Sequence, residues 1–406
     1  MTTMSQRRSW QGPAVFSYGF RPFFFGGALL SAVLLAVWIP WYFGVIQLPS
    51  ALSPSAWHAH ELLFGYVPAI IAGFLLTAVP NWTGRLPIVG YPLAGLFVIW
   101  LAGRLAVLVS AYLPSLLLAA IALGFLVCLT LAIGREIVAS RNWKNAKVLA
   151  VLGVLSLAQA LFLFEALNQG RAVYGQRIAI AAILMLIMIV GGRIVPSFTR
   201  NWIKRENPGP EPAVFGAFDQ WSMVLGGVAL AVWALLPALH SLWPQMDVRL
   251  VGVLLLAAGA LHLIRLWRWV PQRTLSEPIV AVLHLGYFFV PLGFLLSGAG
   301  MVLVVDGAET AAIHAWTIGA VGIMTLAVMT RATRGHTGQP LKAPFGTVVL
   351  YLAVMLAAIL RILAVFLPES SPVLLPIAGG AWGVGFFGFC LLYGPMLLQA
   401  PDPARG

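Results

Sequence analysis

The sequence predicts an all-α integral membrane protein: a bundle of about twelve transmembrane helices, with the N-terminus and the C-terminus both in the cytoplasm. The first observation behind this fold class is composition, since 61% of the 406 residues are hydrophobic and only 9% are charged. The second is a mean hydropathy of +0.94. The third is that long apolar runs follow one another almost end to end. Soluble domains need more polar surface than this chain offers.

Each predicted span is an apolar run long enough to cross a bilayer core of about 30 Å, which takes about 20 helical residues. A polar and basic segment, 1–19, precedes the first run, and no small-residue cleavage site follows that run, so we interpret it as a span and not as a signal peptide. Residues 20–398 are predicted to form a single polytopic membrane domain, followed by a cytoplasmic tail, 399–406. The predicted spans are 20–43, 58–80, 90–109, 112–134, 147–168, 177–199, 217–239, 248–267, 280–300, 312–331, 344–366 and 373–398.

Basic residues are unevenly distributed between the loops. The formal net charge is +12, with 24 Lys and Arg against 12 Asp and Glu. With the N-terminus inside, most basic residues fall in cytoplasmic segments, as in the clusters 135–147 and 200–205, whereas the acidic Asp247 and Asp306 lie in outer loops. This bias follows the positive-inside rule and sets the predicted orientation. The charge therefore reflects membrane topology, and nucleic-acid binding is excluded as its explanation.

The longest loop, 200–216, is Pro-rich and basic, and it is a candidate boundary between two six-helix halves. The inner ends of spans two, six and ten favour another organisation, because FLLTAVPNWTG at 74–84, RIVPSFTRNW at 193–202 and LAVMTRATRGHTG at 326–338 resemble one another. Such a similarity indicates a four-helix period, although Thr with Asn or Trp at a helix exit is also typical of an interfacial anchor.

Ionisable residues inside spans are costly in a membrane and are therefore candidate functional residues. They fall into two layers, one near each face of the predicted bundle. A structural role as a paired or snorkelling charge is the alternative for each arginine. The candidates are Arg104, Arg193, Arg265, Arg361, Glu61 and Glu165, together with His58, His60 and His314 at the outer ends of spans two and ten, His262 and His284 at matching inner depth in spans eight and nine, and His336 in an inner loop.

His262 and His284 have the placement that a bis-histidine haem requires, with two neutral imidazoles on neighbouring helices. Arg265, one turn after His262, is then a candidate partner for a haem propionate. The alternative is that each histidine only satisfies a backbone carbonyl between helices.

The motif WHAHE at 57–61 places two histidines and a glutamate at the outer end of span two. His58 and His60 point about 200° apart on a regular helix, so they are expected to face different neighbours and not one metal. Glu61 follows His58 by three residues, so it is predicted to orient that imidazole, to ligate a metal or to relay protons. His314 starts span ten at the same predicted level and could complete a site with one of the two histidines; the alternative is a set of interfacial polar residues.

Long motifs in the chain resemble the NnrS family of bacterial inner-membrane proteins. They are FRPFF at 21–25, WHAHE at 57–61, GFLLTAVPNWTG at 73–84, GGRIVPSFTRNW at 191–202 and HAWTIGAVGIMTLAVMTRATRGHTG at 314–338. The resemblance implies a multi-pass protein of the inner membrane with twelve helices that contains haem, with copper as a further cofactor, and that acts in the response to nitric oxide and in resistance to nitrosative stress. It does not indicate which residues hold the cofactors.

The leading functional hypothesis is a haem-dependent protein that handles nitric oxide, with nitric oxide reduction as one candidate activity. One or two haem b groups are expected, with copper as an open possibility, and reduction would need an electron donor such as a quinol or a periplasmic carrier. Glu61 and Glu165 are candidate proton carriers. The alternatives are a secondary transporter for a metal or an iron-nitrosyl complex, and a haem-binding sensor without turnover. The two polar layers near the faces argue against a transporter, since transporter sites lie near the midplane.

Overall fold

The computed structural model describes residues 10–400, and in this part of the chain it contains helices and no strands. The terminal segments 1–9 and 401–406, part of the predicted cytoplasmic ends, lie outside the described residues. Twelve of the helices are long and apolar enough to cross a membrane. They are α1 (Phe20–Tyr42), α2 (Pro54–Thr83), α3 (Tyr91–Leu108), α4 (Ser115–Ala139), α5 (Trp143–Gln169), α6 (Tyr174–Glu206), α7 (Ala217–Leu242), α8 (Val248–Trp267), α9 (Pro278–Leu303), α10 (Ala308–His336), α11 (Phe345–Phe366) and α12 (Pro368–Leu398).

The helix boundaries follow local capping chemistry. Ser53 starts α2, because its hydroxyl oxygen accepts the backbone N–H of Ala56 and the next residue, Pro54, needs no donor partner in a first helical turn. Gly84 ends α2 with φ 68°, a left-handed conformation in which glycine carries no steric cost. These caps fix where the polar ends of α2 lie and hence the position of WHAHE in its first two turns.

All twelve predicted spans are confirmed as helices, and several helices are longer than the apolar runs. Helix α2 begins at Pro54 and not at 58, α6 continues to Glu206, and α10 covers Ala308–His336. The reason is that hydropathy marks the stretch that fits the hydrocarbon core, whereas backbone hydrogen bonds continue through polar residues beyond it.

Helices α2 and α10 each contain a π-helical segment directly after a histidine. The segment Glu61–Tyr66 follows His60, and Ala315–Gly322 follows His314. A glycine with a left-handed backbone conformation lies 24 residues after each of these histidines: Gly84 after His60, and Gly338 after His314. Segments of π-helix inside α-helices are frequent at functional sites, because the extra residue per turn changes the direction of the side chains that follow. The equal spacing supports the predicted likeness of spans two and ten.

The contacts divide the chain into two compact units. Among the described residues, unit 1 comprises 10–179, 329–340 and 386–400, and unit 2 comprises 180–328 and 341–385. The division passes through α6, α10 and α12, so it does not coincide with the candidate boundary at the loop 200–216. In unit 1, α4 packs on α3 and α5, and α2 packs on α1 and α4; in unit 2, α8 and α9 form the most extensive helix pair.

Candidate functional site

In unit 1, a buried polar cluster surrounds the imidazole of His60. His60 is fully buried and Glu61 is 2% exposed. The Nδ1 atom of His60 lies 3.0 Å from Oε1 of Glu61, and the same carboxylate oxygen accepts a hydrogen bond of 2.9 Å from Nη1 of Arg104. The ion pair of Glu61 with Arg104 leaves the cluster without net charge, which is what makes burial of both residues tolerable in an apolar bundle.

The contact with Glu61 determines the tautomer of His60. An ionised carboxylate only accepts hydrogen bonds, so Nδ1 carries the proton and Nε2 is a hydrogen-bond acceptor. Nε2 of Gln159 on α5 donates to this nitrogen at 3.3 Å, and the same amide nitrogen donates to the backbone carbonyl of Ala122 at 3.1 Å. A histidine whose Nδ1–H is held by a carboxylate has the arrangement seen around metal-ligating imidazoles.

The predicted partnership of Glu61 with His58 is corrected by the structure, which places the carboxylate against His60. Arg104 of α3 donates to the same carboxylate oxygen that contacts His60, so a partner on another helix, and not spacing along α2, decides where the Glu61 side chain lies. His58 stacks on the indole of Trp38, with ring centroids 4.1 Å apart, whereas His60 packs beside Phe162 of α5. The prediction that the two histidines face different neighbours is confirmed.

In unit 2, the imidazole of His262 belongs to a second buried cluster. His262 and Arg265 are fully buried. Nδ1 of His262 lies 2.9 Å from the hydroxyl oxygen of Tyr287, which accepts a hydrogen bond of 2.8 Å from Nη1 of Arg265. Nε of Arg265 donates to Oδ1 of Asp219 at 3.0 Å. The arrangement parallels that of unit 1, because a buried ion pair again fixes the group that contacts a histidine.

Two interactions hold the side chain of Asp219 in place. It is the third residue of α7, where its Oδ2 accepts the backbone N–H of Gly216 at 3.2 Å and its negative charge lies in the favourable field of the helix N-terminus. Its other oxygen binds Arg265 from α8. Asp219 therefore connects the start of α7 to Arg265 in the polar cluster of α8 and α9.

The other ring nitrogen of His262, Nε2, is buried and has no hydrogen-bond partner. The ring lies near the backbone carbonyl of Ser222 and stacks on Phe294, with centroids 5.9 Å apart. A Cβ at Gly226 of α7 would lie 2.7 Å from Nε2, so the imidazole packs closely against α7 and requires glycine at that position. Nη2 of Arg265 is likewise buried without a hydrogen-bond partner. Orphaned buried polar atoms are rare in folded proteins and need an explanation, such as a bound ligand, an ion or a water.

His284 lies on α9, one turn before Tyr287. Its Nε2 is 2.8 Å from the hydroxyl oxygen of Thr199 on α6, and its Nδ1 is buried without a hydrogen-bond partner. His262 and His284 thus lie on packed neighbouring helices, as predicted, but each has its own hydroxyl partner. Each keeps one nitrogen that is available to a ligand.

Three of the remaining candidates have the following environments. The carboxylate of Glu165 accepts the backbone N–H groups of Tyr174 and Gly175 at 3.1 and 2.8 Å, so it caps the start of α6. Nδ1 of His314 lies 2.7 Å from the carbonyl of Thr310, and His336 packs against the rings of Tyr18 and Phe20. These contacts connect His314 to the preceding turn of its own helix and His336 to aromatic residues near the start of α1.

Arg193 of α6 is exposed, and Arg361 of α11 is half-buried. Their predicted cofactor roles, like that of His314, stay predictions. Among residues 10–400, no group of three or more His, Cys, Asp or Glu side chains is arranged to hold a metal ion.

Sequence reasoning did not identify Tyr287, Asp219, Gln159 or Thr199. Asp219 had a recognisable pattern, an acidic residue in the first turn of a predicted span, and Tyr287 shares a helical face with His284 at a spacing of three residues. Gln159 and Thr199 are ordinary polar residues of membrane helices, and their roles depend on which helices pack together.

Comparison with known proteins supports the resemblance of the motifs. The sequence profile of the NnrS protein family matches residues 14–400, nearly the whole chain. No curated protein matches the chain well enough to add a relative to this comparison. Twelve apolar helices and a family match of this extent identify the chain as a multi-pass membrane protein of the NnrS family, consistent with the response to nitric oxide.

Proposed function

We propose that the protein binds haem and handles nitric oxide, with nitric oxide reduction as the leading candidate activity. The observation that carries the proposal is the state of His262, whose Nε2 is buried without a hydrogen-bond partner while its Nδ1 is held by Tyr287. Ligation through Nε2 requires the tautomer with the proton on Nδ1, and in that state the phenol oxygen of Tyr287 accepts from both His262 and Arg265. The donor chemistry of this site therefore fits a haem ligand.

His262 and His284 are the residues that would hold haem b, through the nitrogen that each leaves unpartnered. When bound, haem supplies a one-electron redox centre that also has affinity for nitric oxide. Arg265 stabilises negative charge in the same cluster, and its unpartnered Nη2 is suited to a carboxylate such as a propionate. The apolar walls around His262 exclude water from the site.

His60 and Glu61 are proposed to serve the proton supply. Reduction of two nitric oxide molecules to nitrous oxide and water consumes two electrons and two protons, so an enzyme of this type needs a buried carrier and an external donor, either a quinol or a periplasmic carrier. Glu61 is a buried carboxylate in contact with an ionisable imidazole, and a proton could pass between these two groups. Glu165 is bound to backbone N–H groups, which explains its burial by a structural role.

Copper requires a different set of ligands from haem. A protein copper site uses several convergent histidine, cysteine or carboxylate ligands. The described residues contain no such group of three, so they do not fit a copper site of this kind.

The experiment that tests the proposal begins with the absorption spectrum and pyridine haemochrome assay of the purified full-length protein. We expect a haem b spectrum that changes when nitric oxide is added to the reduced protein. Nitric oxide consumption with a chemical reductant then separates the candidate functions, since a reductase turns over and a sensor binds once. Protein without haem, reconstituted into vesicles and transporting a metal complex, would favour the transporter and overturn the proposal.

A further inference from the structure

A groove in unit 1 lies at one end of α4, beside the loop that joins α2 to α3. Its volume is about 810 Å³, within the range of pockets that hold small molecules. One wall is the extended segment 84–89, and the other is the face of α4 that carries Leu131, Ala132, Arg135 and Glu136. None of these residues belongs to the clusters around His60 and His262.

Charge in the groove is concentrated at one edge. Its ionisable lining residues are Arg85, Arg135 and Glu136. Glu136 is buried and pairs with both guanidinium groups: Oε2 with Nε of Arg85, and Oε1 with Nη2 of Arg135 at 2.8 Å. Two positive charges thus share one negative charge, and both arginine side chains remain solvent-accessible, with exposures of 45% and 69%. The edge keeps one positive charge that is not neutralised.

The rest of the groove is apolar. It is lined by Leu86, Pro87, Ile88, Leu96 and Leu131, and the side chain of Leu131 is 67% exposed. An apolar wall next to an unneutralised cationic edge is complementary to an amphiphile with an anionic head and a hydrocarbon tail.

The position of the groove fits the headgroup level of a membrane. Exposed aromatic residues start the two adjacent helices at this end: Tyr91 of α3 is 82% exposed and Trp143 of α5 is 63% exposed. Tyrosine and tryptophan at helix ends are typical of the membrane–water interface. The same end carries Arg141, Lys144 and Lys147, so the positive-inside rule predicts that it faces the cytoplasm.

We propose that this groove binds one anionic phospholipid, with its phosphate between Arg85 and Arg135 and its acyl chains along Leu96 and Leu131. Arginine forms paired hydrogen bonds with phosphate oxygens, and the cytoplasmic leaflet is the source of anionic lipids. The binding site is independent of haem and of nitric oxide chemistry. A bound lipid would connect the α2–α3 loop to α4. It would thereby stabilise the C-terminal end of α2, the helix whose first turns carry His60.

The proposal is tested by native mass spectrometry of the full-length protein in mild detergent, with phosphatidylglycerol or phosphatidylcholine added. We expect the unsubstituted protein to retain one phosphatidylglycerol in preference to phosphatidylcholine. Arg135→Gln should weaken phosphatidylglycerol binding by about fivefold, the effect of one basic residue near a membrane surface. This variant leaves the contact of Arg85 with Glu136 in place. Lys144→Gln, an exposed basic residue outside the groove, is the matched control and should bind as the unsubstituted protein does.

A second variant approaches the same site from its apolar wall. Leu131→Glu introduces a negative charge at an exposed position and should abolish the preference for phosphatidylglycerol, whereas Leu116→Glu, at an 84% exposed position near the other end of α4, should not. Equal lipid retention by all variants would overturn the proposal. Displacement of the lipid by inorganic phosphate alone, or a bound isoprenoid quinone in place of phospholipid, would also overturn it.

Discussion

The imidazole of His262 and the hydroxyl of Tyr287 are joined by a contact of 2.9 Å between Nδ1 and the phenol oxygen, inside a bundle whose other walls are apolar. Arg265 donates to the same oxygen and also pairs with Asp219. The orientation of His262 therefore depends on this ion pair, to which it is connected through Tyr287. The ring is thereby fixed with Nε2 packed against Gly226 of α7. The haem proposal depends on this relationship.

Tyr287→Phe removes the oxygen that both His262 and Arg265 contact. We expect haem to be retained, because Nε2 is unchanged, but the midpoint potential of that haem to shift, since the histidine loses the partner that sets its basicity. Leaving these buried donors unsatisfied should also cost about 1–3 kcal/mol of unfolding free energy. A potentiometric titration followed by absorbance measures the shift; an unchanged potential would show that Tyr287 only packs.

Gly226→Ala tests the space next to His262 Nε2. The added Cβ would lie 2.7 Å from that nitrogen, so the ring must move and haem content should fall. The neighbouring Gly227→Ala is the control, because its Cβ would meet only the flexible side chain of Met185, at 3.3 Å. Pyridine haemochrome assays on both purified variants measure the difference. Equal haem content in the two variants would contradict the assigned direction of the ligand.

Arg104→Gln leaves the buried carboxylate of Glu61 without its cationic partner. Removing one member of a buried ion pair typically destabilises a protein by about 3–5 kcal/mol, whereas replacing both members costs much less. We therefore expect Arg104→Gln to lower the thermal unfolding temperature in detergent more than the double variant Glu61→Gln with Arg104→Gln. A double variant no more stable than the single one would mean that the pair is not energetically coupled.

Glu61→Gln and Glu165→Gln should separate proton supply from helix capping. Loss of the Glu61 carboxylate is expected to slow nitric oxide consumption per folded, haem-loaded protein. Loss of the Glu165 carboxylate is expected to lower thermal stability, because the backbone N–H groups of Tyr174 and Gly175 lose a charged acceptor, with turnover per haem unchanged. The comparison uses nitric oxide electrode traces normalised to haem. If Glu165→Gln alone slowed turnover, the assignment of the two glutamates would be reversed.

The sequence was sufficient for the helices because their hydrophobicity is local. A helix covers most of every predicted apolar run, and the pairing of α8 with α9 follows from the short connection between them. The spacing argument for Glu61 failed because it considered only the helix that carries Glu61, whereas Arg104 of α3 binds the carboxylate oxygen that also contacts His60. No feature of WHAHE itself indicates Arg104 as a partner.

The partners of the histidines could not be read from spacing, since they come from distant parts of the chain. Gln159 reaches His60 across 99 positions, and Thr199 reaches His284 across 85. The sequence shows that Tyr287 lies one turn from His284 on the same helix. Its contact with His262, however, depends on the register between α8 and α9. Packing register is a tertiary property that apolar periodicity does not encode.

The central claim is that His262 is a haem ligand, and the most direct measurement is haem content and spectrum in His262→Ala beside His240→Ala, an exposed histidine in the last turn of α7. Both purified variants are compared with the unsubstituted protein by pyridine haemochrome assay and by low-temperature electron paramagnetic resonance. We expect His262→Ala to lose one haem or its low-spin signal, and His240→Ala to keep both. A His262→Ala protein with the full haem content and an unchanged signal would contradict the account.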